Sequence, residues 1–311
     1  VLIYANMSTI IIQHDDCLRH DPGAKHPESS QRVKAVLSGL EGIYGLQWLP
    51  APLATAEQIT RVHPAEFWAG LRAQEPLEGH FAIDPDTFLN HGSIDATLRA
   101  SGGLCFAIEQ ILNGSALRAF CAVRPPGHHS EAEHAMGFCL LNHVAVGAMH
   151  ALENPSIRRV AIIDFDVHHG NGTQAVFEQN PDVMYVSSHQ LPLYPGTGHI
   201  EETGCGNILN LPLAPGDGSE PFRAAWSKLG LPAIHSFEPD LILISAGFDA
   251  HERDPLAQLE VQDEDYRWLT EEICDLATDS CQGRVVSILE GGYDMQALAS
   301  AGRAHVKGLA S

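Results

Sequence analysis

Short runs of β-branched and aliphatic residues recur along the chain and alternate with longer amphipathic stretches. The short runs, which we predict to be strands, cover residues 8–13, 119–123, 160–165, 183–187, 241–246 and 285–289. A continuously apolar strand is typical of a parallel sheet covered on both faces. The intervening stretches, which we predict to be helices, cover residues 27–40, 93–112, 142–152, 219–235, 263–280 and 294–309. This order predicts an α/β fold with a central, mainly parallel sheet flanked by helices.

The chain shows neither a low-complexity linker nor an internal repeat, so we expect a single domain over residues 1–311. Hydrophobic residues make up 44% of it, which is enough for a large core. None of its apolar runs approaches the roughly 20 residues of a membrane helix. Residues 1–12 lack the basic start of a secretion signal. The seven cysteines form no Cys-x-x-Cys pair. Together these features predict reduced thiols and a cytoplasmic location.

The charge is strongly acidic. Asp and Glu number 39 against 18 Lys and Arg, which gives a net charge of -21. A nucleic-acid partner is not expected, because such proteins carry a basic surface. An acidic field attracts cations instead, including metal ions, polyamines and lysine-rich peptides. The 18 histidines, several of them clustered, favour metal or proton chemistry.

A first group of candidate residues follows two predicted strands. Asp164, Asp166 and His168 alternate after the strand at 160–165, so we expect all three to point to one side. Asp249 follows the strand at 241–246 and would bring a carboxylate to the same edge. Asp166, His168 and Asp249 then make three metal ligands with an open position, as in catalytic zinc sites. The alternative is that these carboxylates only cap the helices that follow.

A second group is the histidine pair of the segment Arg-Pro-Pro-Gly-His-His. His128 and His129 are presented by a rigid turn and suit proton transfer, provided that each has a partner on its other ring nitrogen. Asp164 and Asn171 are available as partners. An Asp partner favours imidazolium, whereas a neutral Asn leaves the pKa nearer its reference value. A purely structural pair is the alternative.

Tyr293 forms a third candidate, in the segment Glu-Gly-Gly-Tyr after the strand at 285–289. The two glycines let the backbone bend and bring the ring close to a neighbouring site. A Tyr hydroxyl can donate a hydrogen bond to a developing oxyanion. The alternative is an ordinary core tyrosine.

These motifs occur together, in order, over nearly the whole chain. They are RPPGHH (124–129), MGFCLLN (136–142), DFDVHHGNG (164–172), YVSSH (185–189), YPGTG (194–198), SAGFDAH (245–251) and EGGYD (290–294), with a weaker HPESSQRV (26–33). The chain thereby resembles the zinc-dependent histone deacetylase superfamily. It looks closest to the class II and bacterial histone deacetylase-like amidohydrolase branch, within the arginase/deacetylase fold.

The resemblance implies a single deacetylase catalytic domain and a set of residue roles. Zinc, one ion per chain, is implied to bind Asp166, His168 and Asp249. His129 is implied to act as general base and then acid, with Asn171 as its partner. His128, paired with Asp164, is implied to act electrostatically, and Tyr293 to stabilise the oxyanion.

The resemblance also implies a channel and a second cation. The implied substrate-binding residues are Gly137, whose carbonyl accepts the amide N–H, the aromatic walls Phe138 and Tyr194, Leu193, the gate residue Leu256, and the rim residue Asp86. Leu193 departs from the family, because many relatives have an aromatic residue there. A structural potassium ion is implied at Asp164, Asp166, His168, Ser187 and Ser188.

The function so implied is hydrolysis of the side-chain amide of acetyl-lysine, in a protein or peptide, by metal-activated water. Polyamine-selective members commonly carry an acidic gate, so Leu256 favours acyl-lysine, although Glu252 and the net charge keep an acetylated polyamine as an alternative. A two-manganese ureohydrolase is less favoured because position 251 is His, where that chemistry wants an Asp. A non-catalytic acyl-lysine binding protein would have lost a ligand, a His or Tyr293. A homo-oligomer is left open.

Overall fold

The computed structural model describes residues 9–311. Its strands are β1 Thr9–Gln13, β2 Leu46–Pro50, β3 His80–Ala82, β4 Phe88–Asn90, β5 Arg118–Cys121, β6 Val160–Asp164, β7 Val183–Gln190, β8 Ile208–Leu213, β9 Leu241–Ala246 and β10 Val285–Leu289. Its helices are α1 Gln31–Leu40, α2 Ala56–Thr60, α3 Ala65–Ala73, α4 Ser93–Leu112, α5 His143–Leu152, α6 Asn171–Phe177, α7 Ser219–Ala225, α8 Leu231–Phe237, α9 Asp263–Cys281 and α10 Met295–Leu309.

Eight of these strands form one sheet in the order β2-β1-β5-β10-β9-β6-β7-β8. All neighbouring pairs in it are parallel. Strands β3 and β4 pair separately and run antiparallel. The predicted α/β class, with a single domain and a central, mainly parallel sheet, is therefore confirmed.

The sheet is buried on both faces because successive side chains of a strand point to opposite sides. In β1, Ile11 joins one core cluster, whereas Ile10 and Ile12 join the other. Helices α1, α9 and α10 contribute to the first cluster, and α4 and α5 contribute to the second. Within residues 9–311, no helix is both long and apolar enough to cross a membrane.

The sequence prediction missed both edge strands of the sheet. β2 is half-exposed or exposed along its whole length, and β8 carries Asn210 and Pro212. An edge strand can face solvent, as β2 does, and can carry a proline, as β8 does, so neither has the continuous apolar run by which the central strands are identified. The first predicted strand begins at residue 8, which lies outside the described residues, as do residues 1–8 of the predicted N-terminal segment.

Two helix predictions are wrong in their extent. The helix predicted at 27–40 begins only at Gln31. Residues before it are held by side chains instead: the backbone N–H of Glu28 donates to His26 Nδ1, and its carboxylate is buried. The helix predicted at 219–235 is interrupted by a π-helical turn over Trp226–Gly230. Helices α2, α3 and α6 were not predicted; each has nine residues or fewer, too short for a clear periodic pattern.

Candidate active site

Four adjacent strands in the middle of the sheet deliver the candidate residues. The central order β5-β10-β9-β6 places the loops after these strands side by side. Those loops begin the segments 124–129, 290–294, 247–251 and 165–172. In open α/β sheets the ligand site lies beyond the carboxyl ends of the strands. The chain therefore collects four distant motifs at one edge.

Asp166, His168 and Asp249 form a compact cluster. Their ligand atoms lie within 4.8 Å of one another. His168 Nδ1 is 3.1 Å from Asp166 Oδ1 and 3.1 Å from Asp249 Oδ2. Two carboxylates and one imidazole are a donor set that suits zinc and leaves room for water in a fourth position. The three side chains fit one metal ion.

Two glycines make room for this cluster. A Cβ at Gly291 would overlap the carboxylates of Asp249 and Asp166, and a Cβ at Gly247 would overlap that of Asp166. The N–H of Gly291 donates to Asp166 Oδ2 at 2.8 Å. Backbone approaches the carboxylates closely here, as glycine alone permits.

The two carboxylates of the cluster have pKa values shifted in opposite directions. Burial opposes ionisation of Asp166, but the charges of His128 and His168 hold its pKa well below the usual range. Burial and the neighbouring Asp166 charge raise the pKa of Asp249. Despite its burial, hydrogen bonds to Asp166 and Asp249 raise the pKa of His168 to about 10. The site thus favours positive charge at its centre.

Asp164 stands apart from the cluster. Strand β6 ends at Asp164, so the predicted strand-like alternation through His168 is wrong. The chain turns there because Asp164 Oδ1 accepts the N–H of Asp166, and Asp166 Oδ1 accepts the N–H of His168. Asp164 Oδ2 instead lies 3.0 Å from His128 Nδ1 and accepts the Tyr185 hydroxyl at 2.9 Å.

The two histidines have different partners. Burial disfavours the charged form of His128, yet the carboxylates of Asp166 and Asp164 raise its pKa well above the ordinary value. His129 Nδ1 lies 2.9 Å from Asn171 Oδ1. Burial, together with the charges of His128 and His168, lowers the pKa of His129 well below its ordinary value. One histidine therefore favours a charged ring and the other a neutral ring that can accept a proton.

Tyr293 lies beside the same cluster. Burial and the charges of Asp249 and Asp166 raise the pKa of its phenol well above the ordinary value, although the Arg32 charge opposes this. Its ring is edge-to-face with Phe138 at a centroid distance of 5.9 Å. A hydroxyl that keeps its proton is a hydrogen-bond donor for a nearby oxyanion.

A cavity of about 240 Å³ opens onto these residues. Its lining consists of Asp86, His129, Gly137, Phe138, His168, Leu193, Tyr194, Leu256 and Tyr293. All six predicted substrate-binding residues are therefore brought together around it. Gly137 and Phe138 both have positive φ, and a Cβ at Gly137 would strike the His129 ring.

The residues implied for potassium lie on adjacent strands. Asp164 of β6 pairs with Ser187 of β7 in the sheet register. Ser187 Oγ lies 2.9 Å from His189 Nδ1, and Ser188 Oγ accepts the indole N–H of Trp226 at 3.1 Å.

Sequence reasoning missed a buried carboxylate behind the histidine pair. Glu290 Oε2 accepts the N–H of Gly127 at 2.7 Å and that of His128 at 3.2 Å. Its other oxygen accepts the Ser245 hydroxyl at 3.0 Å. Glu290 joins β10, β9 and the loop after β5, and its position before the Gly-Gly-Tyr segment was the signal that could have found it.

A buried ion-pair network was missed as well. Arg124 Nε donates to Glu28 Oε1 at 2.7 Å, and Arg32 donates to the same oxygen at 3.1 Å. Arg32 Nε also donates to the Gly292 carbonyl at 2.7 Å, and its guanidinium lies 4.9 Å from the Tyr293 ring centroid. Glu28 and Arg32 lie in the segment 26–33, which the sequence analysis noted as a weaker motif. The sequence does not reveal, however, that these charged side chains are buried.

Asp254 fixes the backbone around Tyr293. Its Oδ2 accepts the Tyr293 N–H at 2.7 Å and its Oδ1 accepts the Leu256 N–H at 3.0 Å. One carboxylate therefore joins the loop that carries Leu256 to the loop that carries Tyr293. Asp254 lies in the loop that follows Asp249, and nothing local in the sequence indicates this contact.

Comparison with known proteins decides the family. The histone deacetylase domain model matches residues 26–309. The chain belongs to the histone deacetylase family. It is thus a hydrolase of the deacetylase kind. The resemblance predicted from its motifs is confirmed.

Relatives in this family are similar over most of their length. The histone deacetylase-like amidohydrolase of Pseudomonas aeruginosa is 38% identical over 277 residues, which cover 87% of this chain and 72% of that protein. A protein of Archaeoglobus fulgidus named "Probable deacetylase" is 36% identical, with 93% of this chain and 82% of the relative covered. The crystal structure of the HDA15 HD domain superposes with a TM-score of 0.93 at 35% identity, covering 98% of this chain and 88% of that domain. The family's fold is therefore the fold of this chain.

Proposed function

We propose that this member of the histone deacetylase family hydrolyses the side-chain amide of acetyl-lysine. The observation that carries the proposal is a cavity lined by His129, by Tyr293 and by His168, which is the one member of the compact Asp166, His168 and Asp249 cluster in that lining. These are the groups that metal-assisted amide hydrolysis needs. We assign the reaction to one catalytic domain over residues 1–311.

One zinc ion per chain is proposed at Asp166, His168 and Asp249. The glycines that make room for the carboxylates, and the mixed oxygen and nitrogen donors, support this metal. When bound, zinc would lower the pKa of a water molecule and polarise the acetyl carbonyl.

His129 and Tyr293 carry out the proton and charge steps. The neutral His129 ring takes a proton from the attacking water and later gives it to the leaving amine. Tyr293 keeps its proton because its pKa is raised, and it donates a hydrogen bond to the carbonyl oxygen as negative charge develops there. His128, whose pKa is raised by the carboxylates of Asp166 and Asp164, contributes a fixed positive charge behind them.

The cavity walls suit the slender aliphatic side chain of an acetylated lysine. Phe138 and Tyr194 supply aromatic walls, and Leu193 and Leu256 add aliphatic surface. We assign the Gly137 carbonyl to the N–H of the scissile amide and Asp86 to the backbone of a peptide at the rim. We also propose a structural potassium ion at Asp164, Asp166, His168, Ser187 and Ser188, supported by the register pair Asp164 and Ser187.

The test is acetate release by the zinc-loaded protein from an acetyl-lysine peptide and from an acetylated diamine, side by side. We expect a higher kcat/KM for the peptide. Leu256→Glu should move the ratio toward the diamine by about tenfold, since a carboxylate at the gate would pair with the second ammonium. Leu256→Met is the matched control, because it conserves volume without charge.

Either of two results would overturn this assignment. Preference of the wild type for the diamine would move the function to polyamine deacetylation, the alternative with which the net charge of -21 and the acidic Glu252 are also compatible. No acetate release with one zinc bound would exclude hydrolysis of a small acetyl group. A ureohydrolase is less favoured, because His251 accepts the Arg253 N–H and lies 3.4 Å from Asp263 rather than joining the cluster.

A further inference from the structure

The amide of Asn171 stands between His129 and a second acidic side chain, Glu131. Asn171 Oδ1 lies 2.9 Å from His129 Nδ1, and its Nδ2 donates to Glu131 Oε1 at 3.0 Å. The same Nδ2 has weaker contacts with the His129 carbonyl at 3.4 Å and with Met136 Sδ at 3.5 Å. Asn171 is 7% exposed, so water offers few alternative partners.

The loop after the histidine pair holds Glu131 in place. The Glu131 N–H donates to the His134 carbonyl at 2.9 Å, and the two residues form an isolated antiparallel bridge. Asn171 is fixed from its own side, because it is the first residue of α6. The carboxylate and the amide therefore face each other across two separately anchored segments.

The chemistry of the three groups allows one arrangement. A carboxylate can only accept, so the amide nitrogen must face Glu131 and the amide oxygen must face His129. That oxygen also only accepts, so the proton of the neutral His129 ring must be on Nδ1. Nε2 is then left without a proton. In the reversed amide, two oxygens would oppose each other at Glu131, and His129 would carry its proton on Nε2.

We propose that Glu131 is a positioning residue that holds the Asn171 amide in one orientation and thereby fixes the His129 tautomer whose Nε2 can accept a proton. The inference rests on the proposed role of His129 as general base. An Asp at position 171 would not need such a device, since its two oxygens are equivalent. An Asn has two unlike ends, and a third group must choose between them.

The first test is a spectrum rather than an activity. In ¹⁵N-labelled, zinc-loaded protein, we expect the wild-type His129 ring to be protonated on Nδ1. Glu131→Leu should give a mixture of the two tautomers. Glu133→Leu, in the same loop and exposed, is the matched control and should leave the spectrum unchanged. Wild-type His129 protonated on Nε2 would overturn the proposal without any variant.

Kinetics give the second test. Glu131→Leu should lower kcat on the acetyl-lysine peptide by about the factor by which the Nδ1-protonated fraction of His129 falls, while KM stays within about twofold, since only that tautomer can accept the proton. A wild-type kcat in this variant, with the Nδ1 tautomer retained, would contradict the proposal. A rise in KM alone would also contradict it, since that would indicate a role in substrate binding.

The third test exchanges the chemistry at both positions. In Asn171→Asp, two carboxylates face each other and kcat should fall. Adding Glu131→Gln to that variant should raise kcat by several-fold, because the Gln amide can donate to the carboxylate introduced at position 171, whereas Glu131→Gln alone should lower it. This reversal of sign is the expected result, and additive losses would overturn the proposal. The conservative substitutions also serve if Glu131→Leu does not fold.

The outcomes separate this inference from the proposed function. If the wild type releases no acetate from any acyl amine, the proposed function fails, and the ¹⁵N spectra alone still decide whether Glu131 fixes the tautomer. If the wild type is active and the spectra of Glu131→Leu and wild type are identical, only the role of Glu131 fails.

Discussion

Tyr293 is held at two points, by its backbone and by its ring. Asp254 accepts its N–H, and Arg32 lies against its ring face. A ring so fixed can present its hydroxyl without reorganising, which is the condition under which a hydrogen bond stabilises a developing charge most effectively.

Tyr293→Phe tests this role at the scale of one oxygen atom. We expect kcat to fall by about 10²–10³-fold, the usual cost of removing one oxyanion donor. KM and the zinc content should stay near wild-type values, because the ring and the ligands are untouched. An unchanged kcat, measured by acetate release under saturating peptide, would exclude the hydroxyl from the reaction.

Gly291→Ala tests the space around the proposed zinc ligands. The new Cβ would overlap carboxylate oxygens of Asp249 and Asp166, so the ligands must shift and zinc affinity should fall by at least about tenfold. Competition with a chromophoric chelator measures the affinity. Gly302→Ala is the control, since its Cβ would meet only Val36 at 3.8 Å. Equal zinc affinity in the two variants would contradict the prediction.

Capping residues made the starts of two helices predictable. Asn142 and Asp294 cap α5 and α10 with their side chains, and the predicted start of each helix is within one residue of the observed start. Such caps are local signals that the sequence displays directly. The edge strands β2 and β8 have no comparable signal, because β2 is largely exposed and the apolar run of β8 is interrupted by Asn210 and Pro212.

The buried pair of Glu28 and Arg124 connects the segment before α1 with the loop after β5. Both side chains are fully buried. Glu28→Gln leaves the Arg124 charge without its partner, so the free energy of unfolding should fall by roughly 3–5 kcal/mol. Urea unfolding followed by fluorescence measures it.

An exposed ion pair supplies the control for that substitution. Glu57 in α2 pairs with Arg61, the residue directly after that helix, and the Glu57 side chain is 83% exposed. Glu57→Gln should change stability by less than about 0.5 kcal/mol. If Glu28→Gln had an equally small effect, the buried network would not stabilise the fold.

Across the whole molecule, neutral buried histidines tie stability to pH. Burial lowers the pKa of His63 to about 4, and that of His143 and His305 to about 3. His63 Nε2 accepts the Asn142 N–H at 2.9 Å, so a proton there would oppose another donor. The folded state therefore resists protons that the unfolded chain binds.

The sign follows from this difference in bound protons. From about pH 6.5 downward the unfolded chain takes up protons first, so stability falls with pH by about 1.4 kcal/mol per unit for each such histidine. For His63 the loss should extend to about pH 4. The slope of the free energy of unfolding against pH counts the protons taken up on unfolding. His63→Gln should reduce that count by about one, as measured by urea unfolding between pH 7.5 and pH 5. An identical slope in this variant would show that His63 is not the group concerned.

The local hydrophobic pattern was enough to predict whether most central elements are strands or helices. The motifs were enough to predict which residues form the site. The continuous apolar runs identify the six inner strands because a strand buried on both faces must be apolar throughout. The polar motifs follow these runs directly, and so their place at the carboxyl edge could be predicted from a parallel sheet alone.

The sequence by itself determined the α/β class, the family and the identity of the residues at the candidate site, since each of these depends on short segments read in order. Only the tertiary structure decided which strands are neighbours, and so brought Asp249 to His168 and Glu290 to His128. It also decided that Glu28, Arg124 and Asp254 are buried and that Glu131 faces Asn171. The physical reason is that burial and pairing of a charged side chain depend on partners distant in the chain, which periodicity and spacing do not specify.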